Sequence, residues 1–457
     1  MIPSEFFSEA TKLAALRKST QLQPHQKRVL RRIQDQRGLV VAHGLGSGKT
    51  LTSLAAGEET GALALVPASL QENYLKEQAK HMTGRRRVQV QSLQKAINDG
   101  EVSPSPMLIV DEAHRARNPK SKTYKVLRDA KAKKRLLLTA SPMYNAPEDV
   151  ASLVNLAAGD RVLPEGAAFR EQFVSRPPKG LMGLMPWTRK REMLVRRGEL
   201  GASLEKWVDY HASEGGSYPE RIETRVKVPM TKRQTHIHDA AWDSLPWTTR
   251  ARLRKGLPPD KKDLAKINKF QSQARQVAGS EAAFGGEGST PKVRAAVADV
   301  RKRLDADPSH KALVYSNYIN TLDDYSNELK DKGIPFGTFT GQVTRRAKKK
   351  AITDFNSGKI KALLVSSAGG EGLDLKGTRQ VQVLDPHWND EKIEQVIGRA
   401  IRHESHAALP PSKRNVHVQR FEATPLSRAV GVEQILIDRS ERKRDLKEQL
   451  VGLMRKK

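Results

Sequence analysis

A glycine-rich segment that ends in a lysine and a threonine directly follows the apolar run at residues 39–42. Glycines in such a turn let backbone N–H groups point at an anion, the lysine neutralises phosphates, and the hydroxyl is a ligand for Mg²⁺. The segment therefore predicts a binding site for a nucleoside triphosphate. Its expected binding residues are Gly44, Gly46, Ser47, Gly48, Lys49 and Thr50. The residue before them is His43, where such loops usually begin with glycine or alanine.

Two carboxylates, Asp111 and Glu112, follow a second apolar run at residues 107–110. Ligands of open parallel sheets bind at the carboxyl ends of the strands, so both carboxylates are expected beside the glycine-rich turn. We predict that Asp111 and Thr50 bind Mg²⁺, and that Glu112 orients and deprotonates an attacking water. An isolated Asp-Glu pair is usually a polar turn. The apolar run before it and the phosphate loop upstream favour a catalytic role here.

A helix with two distinct faces is predicted at residues 390–402. Apolar residues at positions 393, 396, 397, 400 and 401 have the i, i+3, i+4, i+7, i+8 spacing of one buried stripe. Gln395, Arg399 and Arg402 share another face, and two guanidinium groups one turn apart suit a triphosphate presented by another domain. The alternative is a surface helix with two solvated arginines.

Short apolar runs alternate with helical stretches in two blocks, which is typical of parallel sheets covered on both faces. The runs lie at residues 39–42, 62–66, 107–110 and 135–139, and at 311–315, 362–365, 381–384 and 416–421. We therefore predict an α/β protein with two parallel-sheet domains and a mainly helical insert between them. The expected divisions are a first domain at 1–158, a basic insert with a linker at 159–290, a second domain at 291–430, and a basic C-terminal helix at 431–457 that docks on the second domain.

The charge of the chain predicts a polyanionic partner. Its 457 residues include 81 Lys+Arg and 51 Asp+Glu, a formal net charge of +30. Such a charge is repulsive within one fold, so DNA or RNA is expected as a partner, and the alternative is a merely basic surface. Basic clusters at residues 85–87, 131–135 and 345–350 favour a groove that follows a nucleic-acid backbone, although each one alone could be a solvated surface.

The composition also limits the compartment. The chain has no cysteine, which excludes disulfides and zinc–cysteine sites and fits a reducing environment. It shows neither a secretory signal nor an apolar run long enough to cross a membrane. We expect a protein of the cytoplasm, the nucleoid or a host-cell interior that is not secreted and does not bind membranes.

Taken in order, the motifs resemble those of superfamily 2 helicase-type ATPases. The chain is most similar to the SWI/SNF-related, DEAH-box double-stranded DNA translocases. The phosphate loop matches their motif I apart from His43, residues 111–119 resemble the SWI/SNF form of the Walker B motif, and residues 139–145 correspond to motif III. Residues 366–375 resemble motif V, with Asp374 where the family usually has asparagine, and residues 395–402 resemble motif VI. The stretch that follows loosely resembles ATPases of large DNA viruses and phages.

The resemblance implies further site residues. Residues 22–26 resemble the glutamine motif, which implies that Gln26 contacts adenine. Gly372, Asp374 and Gln395 are implied to bind the nucleotide, and Arg399 and Arg402 to act as arginine fingers. Nucleic-acid contacts are implied for Pro67, Ser69, Ser366 and Ser367.

The resemblance also implies a motor activity. ATP with Mg²⁺ would bind between two RecA-like lobes, and its hydrolysis would drive movement along nucleic acid, with duplex DNA as the expected track. One alternative is a helicase that separates the strands of DNA or RNA, because only a wedge element distinguishes it and the sequence does not identify one. The other is a nucleic-acid-binding, transcription-associated NTPase subunit. The intact side chains from Lys49 to Arg402 argue against a subunit that no longer hydrolyses ATP.

Overall fold

The computed structural model describes residues 16–17, 19–83, 87–175, 192–212, 218–254, 263–366, 373–385, 391–402, 404–427 and 429–455. Contacts divide the chain into two compact units. The first unit comprises Met1–Ser213 and Arg442–Lys457, and the second comprises Glu214–Glu441. Among the described helices, none combines the length and the apolar character that crossing a bilayer requires.

The first unit is an α/β layer structure around one parallel sheet. Its strands are β1 (Gly38–His43), β2 (Leu63–Val66), β3 (Gln89–Ser92), β4 (Ser105–Val110), β5 (Ala132–Thr139), β6 (Val174–Ser175), β7 (Met193–Leu194) and β8 (Val208–His211). Its helices are α1 (Pro24–Asp35), α2 (Lys49–Gly57), α3 (Gln71–His81), α4 (Leu93–Asp99), α5 (Lys122–Asp129), α6 (Asp149–Ala158), α7 (Ala167–Phe173) and α8 (Arg197–Trp207). Six strands pair in the order β3-β2-β4-β5-β1-β8, all parallel, and β6 pairs with β7 in an antiparallel ribbon.

Both faces of this sheet are covered by apolar side chains. In β1, Leu39 and Val41 belong to one buried cluster, and Val40 and Ala42 belong to another. Successive side chains of a strand point to opposite faces of the sheet. A strand buried on both faces therefore reads as a continuous apolar run. This is why residues 39–42 are recognisable as a strand in the sequence.

The second unit is built around another sheet of six parallel strands. Its strands are β9 (Glu220–Pro229), β10 (Ala312–Ser316), β11 (Phe336–Phe339), β12 (Ala362–Ser366), β13 (Gln380–Val383) and β14 (Asn415–Thr424). Its helices are α9 (Lys232–Asp243), α10 (Trp247–Arg254), α11 (Leu264–Gly279), α12 (Pro291–Ala306), α13 (Ile319–Asp331), α14 (Arg345–Asn356) and α15 (Glu391–Ala400), and the chain ends in α16 (Val432–Met454). The strands pair in the order β11-β12-β10-β13-β14-β9.

The structure confirms the predicted fold class, with two parallel sheets flanked by helices. Each of the eight apolar runs overlaps a strand. Four strands in the two main sheets, namely β3, β8, β9 and β11, were not predicted, and all four lie at sheet edges. An edge strand buries less side-chain area than a central one. Its sequence therefore carries more polar residues, as in the mostly exposed β9.

The structure divides the chain differently from the expected boundaries. Residues 159–290 do not form a separate insert, because the split between the units falls at residues 213–214. In this stretch β8 pairs with β1 in the first sheet, and β9 pairs with β14 in the second over ten residues. The helices α9 and α11 do pack together, with Trp242 and Phe270 in a buried cluster of the second unit. The two edge strands therefore extend the sheets of both units into the predicted insert.

The C-terminal helix packs differently from the expectation that it docks on the second domain alone. Val432 and Leu436 of α16 are buried in the second unit. However, Leu446, Leu450 and Met454 belong to a core cluster of the first unit. These three residues are spaced by four, so they form one apolar stripe of the helix. The stripe accounts for the assignment of residues 442–457 to the first unit.

Candidate nucleotide-binding site

The phosphate loop connects the carboxyl end of β1 to the amino end of α2, which begins at Lys49. Gly46 and Gly48 have φ angles of 77° and 74°. This left-handed conformation favours glycine, which has no Cβ to clash with the backbone. A Cβ on Gly48 would also lie only 2.6 Å from Nε2 of Gln26. The backbone conformation therefore explains why glycine occupies two of the positions that are predicted to bind phosphate.

The side chain of Lys49 is held by backbone carbonyl groups at the start of the loop. Its Nζ donates hydrogen bonds to the carbonyl oxygens of His43 at 2.8 Å and Gly44 at 2.9 Å. The ammonium group therefore lies at the loop and does not extend into solvent. Thr50 follows it in the first turn of α2. Both side chains are in the segment where a nucleotide phosphate would meet the helix N-terminus.

Helix α1 packs against the phosphate loop through Gln26. The side chain of Gln26 is 2% exposed. Its Oε1 accepts a hydrogen bond from the backbone N–H of Gln23 at 2.8 Å, and its Nε2 donates to the carbonyl oxygen of Gly48 at 3.1 Å. Gln26 thus caps α1 and contacts the loop. Its contact with adenine stays a prediction.

Asp111 and Glu112 follow the carboxyl end of β4. Because the sheet order is β4-β5-β1 and all three strands are parallel, the two carboxylates and the phosphate loop lie at the same edge of the sheet. Glu112 has a φ of 51°, an uncommon left-handed conformation for a residue with a side chain. Its carboxylate lies 3.2 Å from Nδ1 of His114. Because of this backbone conformation, the side chain of Glu112 leaves the chain in a different direction from the one it would have if β4 continued.

The electrostatics of Asp111 show that the carboxylates and the loop act on each other. The pKa of Asp111 is raised to about 7, mainly because the carboxyl group is buried and also because the Glu112 carboxylate lies beside it. The ammonium group of Lys49 opposes this shift. A positive group at this edge would favour the ionised form of Asp111. Carboxylate and hydroxyl oxygens are suitable ligands for Mg²⁺, so Asp111 and Thr50 fit a Mg–nucleotide complex.

The segment after β5, expected to act as motif III, forms a self-contained turn. Thr139 donates a hydrogen bond to the carbonyl oxygen of Ser141 at 2.9 Å, and Ser141 donates to that of Met143 at 2.8 Å. Both hydroxyl side chains are buried. The hydroxyls therefore stabilise the turn next to the strand that carries the phosphate loop.

In the second unit, α15 carries Gln395 and Arg399 of the predicted arginine face, but it ends at Ala400, before Arg402. Ile393, Ile397 and other residues of its apolar stripe are buried against the second sheet. Glu394 accepts hydrogen bonds from Arg221 at 2.6 and 2.8 Å and from Arg420 at 3.0 Å, which connects the helix to β9 and β14. Packing on one face and these ion pairs on another fix the rotation of α15. Gln395 and Arg399 are half-buried on it.

Arg402 lies just beyond the end of α15 and contacts Asp374. Its Nη1 is 3.2 Å from Oδ1 of Asp374, which is largely exposed. Asp374, predicted to bind the nucleotide, and Arg402, predicted to act as an arginine finger, are therefore neighbours. Gly372, also predicted at the nucleotide site, lies outside the described residues.

Comparison with known proteins agrees with this geometry. The chain matches the SNF2-related domain over residues 70–281 and the helicase conserved C-terminal domain over residues 295–404. It is 28% identical over 442 residues to the mimivirus (Acanthamoeba polyphaga mimivirus) protein L538, whose name describes an ATP-dependent RNA helicase, covering 93% of this chain and 94% of that protein. It is 22% identical over 513 residues to the DNA repair and recombination protein RAD54-like of Drosophila erecta, covering 94% and 63%.

A solved structure shows the same fold. The helicase domain of Pyrococcus furiosus Hef is 17% identical, with a TM-score of 0.50, and the likeness covers 91% of this chain and 98% of that one. Both family domains are present, and they follow one another along the chain at residues 70–281 and 295–404. The chain is a SWI/SNF-related helicase-type ATPase. It uses ATP, and its activity depends on nucleic acid.

Two of the residues expected to contact nucleic acid lie at the same sheet edge of the ATPase as the phosphate loop. Pro67 and Ser69 directly follow the carboxyl end of β2 in the first unit, where Pro67 is buried and Ser69 is exposed. Ser366 ends β12 in the second unit and is 3% exposed. Ser367 lies outside the described residues. Among Pro67, Ser69 and Ser366, therefore, Ser69 has an exposed side chain and the other two are buried.

One basic cluster of the ATPase lies away from that edge. Residues 131–135 are at the amino end of β5, opposite the phosphate loop. Lys134 donates a hydrogen bond to the carbonyl oxygen of Ile33 at 2.8 Å, and Arg135 donates to that of Ala130 at 2.9 Å. A cavity of about 730 Å³ there is lined in part by Arg37, Lys131 and Lys133. The cluster therefore does not extend a groove along the phosphate-loop edge, and two of its cations stabilise the fold.

A buried carboxylate beside the phosphate loop was not predicted from the sequence. Asp209 of β8 lies 2.7 Å from Nε2 of His43 and accepts two hydrogen bonds of 2.8 Å from Arg28. Burial alone would raise the pKa of Asp209, but the hydrogen bonds from Arg28 and His43 lower it below its ordinary range. The signal in the sequence was His43 itself, an unusual residue at the start of the loop. Its partner lies on a strand that carries no apolar run.

Proposed function

We propose that this ATPase translocates along duplex DNA and that hydrolysis of ATP at the phosphate loop drives the movement. The observation that carries the proposal is the common sheet edge of Lys49, Asp111 and Glu112 in a chain with both family domains. These side chains supply a cation for phosphate, a metal ligand and a base. The RAD54-like relative is named for DNA repair and recombination, which supports DNA as the partner.

The proposal assigns each side chain a role. Lys49 and the backbone N–H groups of residues 44–48 bind the β- and γ-phosphates, while Glu112 accepts a proton from the attacking water. Asp111 and Thr50 would hold Mg²⁺, which would neutralise charge on the phosphate oxygens. The remaining proposed contacts are Gln26, Gly372, Asp374 and Gln395 to the nucleotide, Arg399 and Arg402 to the transferred phosphoryl group, and Pro67, Ser69, Ser366 and Ser367 to nucleic acid.

The test is an ATPase assay with duplex DNA, single-stranded DNA and RNA as separate activators. We expect duplex DNA to give the greatest stimulation, and the Lys49→Ala variant to lose about 10²-fold or more of the stimulated kcat, because Lys49 stabilises charge in the transition state. Displacement of a third strand from a triplex, without separation of the duplex, is expected to accompany hydrolysis. Full stimulated activity in Lys49→Ala would contradict the assignment of the site.

Binding to duplex DNA is expected to weaken steeply with salt, because the net charge of +30 favours contacts with backbone phosphates. Each neutralised phosphate contributes about −0.9 to the slope of log affinity against log salt, so six contacts would give about −5. Fluorescence anisotropy of a labelled duplex across a salt series measures this slope. ATP binding without DNA, measured in the same series, is the control. A slope near zero would contradict binding through the backbone.

RNA is the second candidate track, because the name of the mimivirus relative describes an RNA helicase. The same panel of activators distinguishes the two. If RNA stimulates hydrolysis more than duplex DNA, and strand separation replaces triplex displacement, the protein is a strand-separating helicase.

A further inference from the structure

Three elements of the first unit converge on the backbone of the phosphate loop. From α1, Nε2 of His25 lies 2.9 Å from the carbonyl oxygen of Ser47. From β8, the carbonyl oxygen of His211 accepts a hydrogen bond of 2.9 Å from the N–H of Gly44. From β1, the carbonyl oxygen of His43 accepts one of 2.8 Å from Lys49. Each contact reaches a different part of the loop.

The three histidines also contact one another. The rings of His25 and His211 are stacked, with centroids 3.9 Å apart and an angle of 7° between their planes. The ring of His43 packs edge-on against both, at 5.2 and 5.6 Å. Because His25 and His211 hold the loop from two sides, the position of the His43 ring affects both contacts.

The orientation of the His43 ring is set by Asp209. Neither side chain has any exposed area, and their separation of 2.7 Å is that of a hydrogen bond. Burial lowers the pKa of His43, and because a carboxylate oxygen only accepts hydrogen bonds, Nε2–H of the ring is the donor to Asp209. Within the described residues, Nδ1 of His43 has no hydrogen-bond partner. The contact with Asp209 is therefore the polar contact that orients this ring.

Asp209 is itself fixed on the other side. Arg28 binds both of its oxygens, and Nη1 of Arg32 lies 3.2 Å from Oδ2. Both arginines come from α1, the helix that carries His25. A buried carboxylate with several donors stays in place, since losing one partner leaves a poorly compensated charge. The carboxylate thus connects α1, β1 and β8 at the start of the loop.

We propose that Asp209 and His43 form a positioning pair that holds the phosphate loop in its nucleotide-binding conformation. The inference rests on the proposed role of this loop in binding ATP. Neither residue is assigned a contact with the nucleotide; both act through the backbone of residues 43–48 and through His25 and His211. The pair accounts for the histidine at a position where such loops usually have glycine or alanine.

The expected consequence is a loss of nucleotide affinity with little change in chemistry. His43→Ala should raise the KM for ATP, and the Kd for fluorescently labelled ADP, about tenfold, with kcat within about twofold of the wild type, because preorganisation of binding is lost. His43→Gln retains an N–H donor for Asp209 and should restore KM to within about threefold. Steady-state hydrolysis with saturating DNA and titration of labelled ADP measure both values.

A double-mutant cycle tests the coupling. If Asp209 acts through His43, Asp209→Asn combined with His43→Ala should raise KM no more than the larger single effect, because residues in contact are non-additive. Additive increases would overturn the pairing. Melting temperatures establish whether each variant is folded. If Asp209→Asn does not fold, the comparison of His43→Ala with His43→Gln still tests the proposal.

His310→Ala is the matched control for the loss of a buried histidine. His310 is 4% exposed, its Nε2 lies 3.0 Å from Oε1 of Gln380, and it precedes the amino end of β10 in the second unit. We expect the melting temperature of the His310→Ala protein to fall and its KM for ATP to stay at the wild-type value. Equal KM increases in His43→Ala and His310→Ala would show a merely structural role and overturn the proposal.

Lys49→Ala separates this inference from the function on which it rests. If Lys49→Ala weakens binding of labelled ADP and folded His43→Ala does not, the positioning pair is wrong and the loop assignment stands. If Lys49→Ala leaves nucleotide binding unchanged, the loop is not the nucleotide site, and both proposals fall.

Discussion

Replacing Arg399 with alanine is expected to lower the kcat of DNA-stimulated ATP hydrolysis about 10³-fold, within the range of 10³ to 10⁵ attributed to arginine fingers. The guanidinium group would stabilise charge that develops on the transferred phosphoryl group, so its loss affects the transition state more than the bound substrate. Affinities for ATP and DNA should therefore change little. Single-turnover hydrolysis with saturating duplex DNA measures the chemical step directly.

Arg301→Ala provides the control for Arg399→Ala. Arg301 is an exposed arginine of α12 that pairs with Asp305 at 2.7 Å, one turn along the same helix. Exposed pairs of this kind contribute little to stability, so its removal should leave kcat within about twofold of the wild type. A folded Arg399→Ala protein with a kcat within tenfold of the wild type would contradict the arginine-finger assignment.

Glu112→Gln is expected to lower kcat by about 10²- to 10⁴-fold while nucleotide binding is retained, because the amide keeps the shape of the side chain and cannot accept the proton from water. Asp111→Asn should differ, since loss of a proposed metal ligand raises the KM for ATP as well. Hydrolysis rates and ATP affinities of the two variants, compared at the same Mg²⁺ concentration, show this contrast. A Glu112→Gln variant with wild-type kcat would exclude Glu112 as the base.

Arg399, the residue replaced in the first prediction, lies on α15, and the orientation of this helix was partly predictable from the sequence. The spacing of Ile393, Ile397 and their apolar neighbours predicted the buried face of α15, and the structure confirms that face. The ion pairs of Glu394 with Arg221 and Arg420 were not predictable, because they depend on β9 lying beside β14. Local periodicity specifies which face of a helix is buried, but not which distant strand it meets.

The same limit applies to the phosphate loop. The glycines, Lys49 and the carboxylates of Asp111 and Glu112 were predicted from strands that read as apolar runs, and their common sheet edge followed from the parallel order. Asp209 was not predicted, because it lies on a short edge strand 166 residues from His43. Burial of a carboxylate is compensated by partners brought together by the fold, and no local pattern in the sequence identifies them.

An experimental structure with a non-hydrolysable ATP analogue, Mg²⁺ and duplex DNA would show whether Arg399 and Arg402 contact a triphosphate bound in the phosphate loop. We expect the triphosphate in the loop of residues 44–50, with guanidinium nitrogens of Arg399 and Arg402 within about 3 Å of γ-phosphate oxygens. If a triphosphate is bound in the loop while Arg399 and Arg402 both point away, too far for side-chain contact, the proposed arginine fingers are wrong.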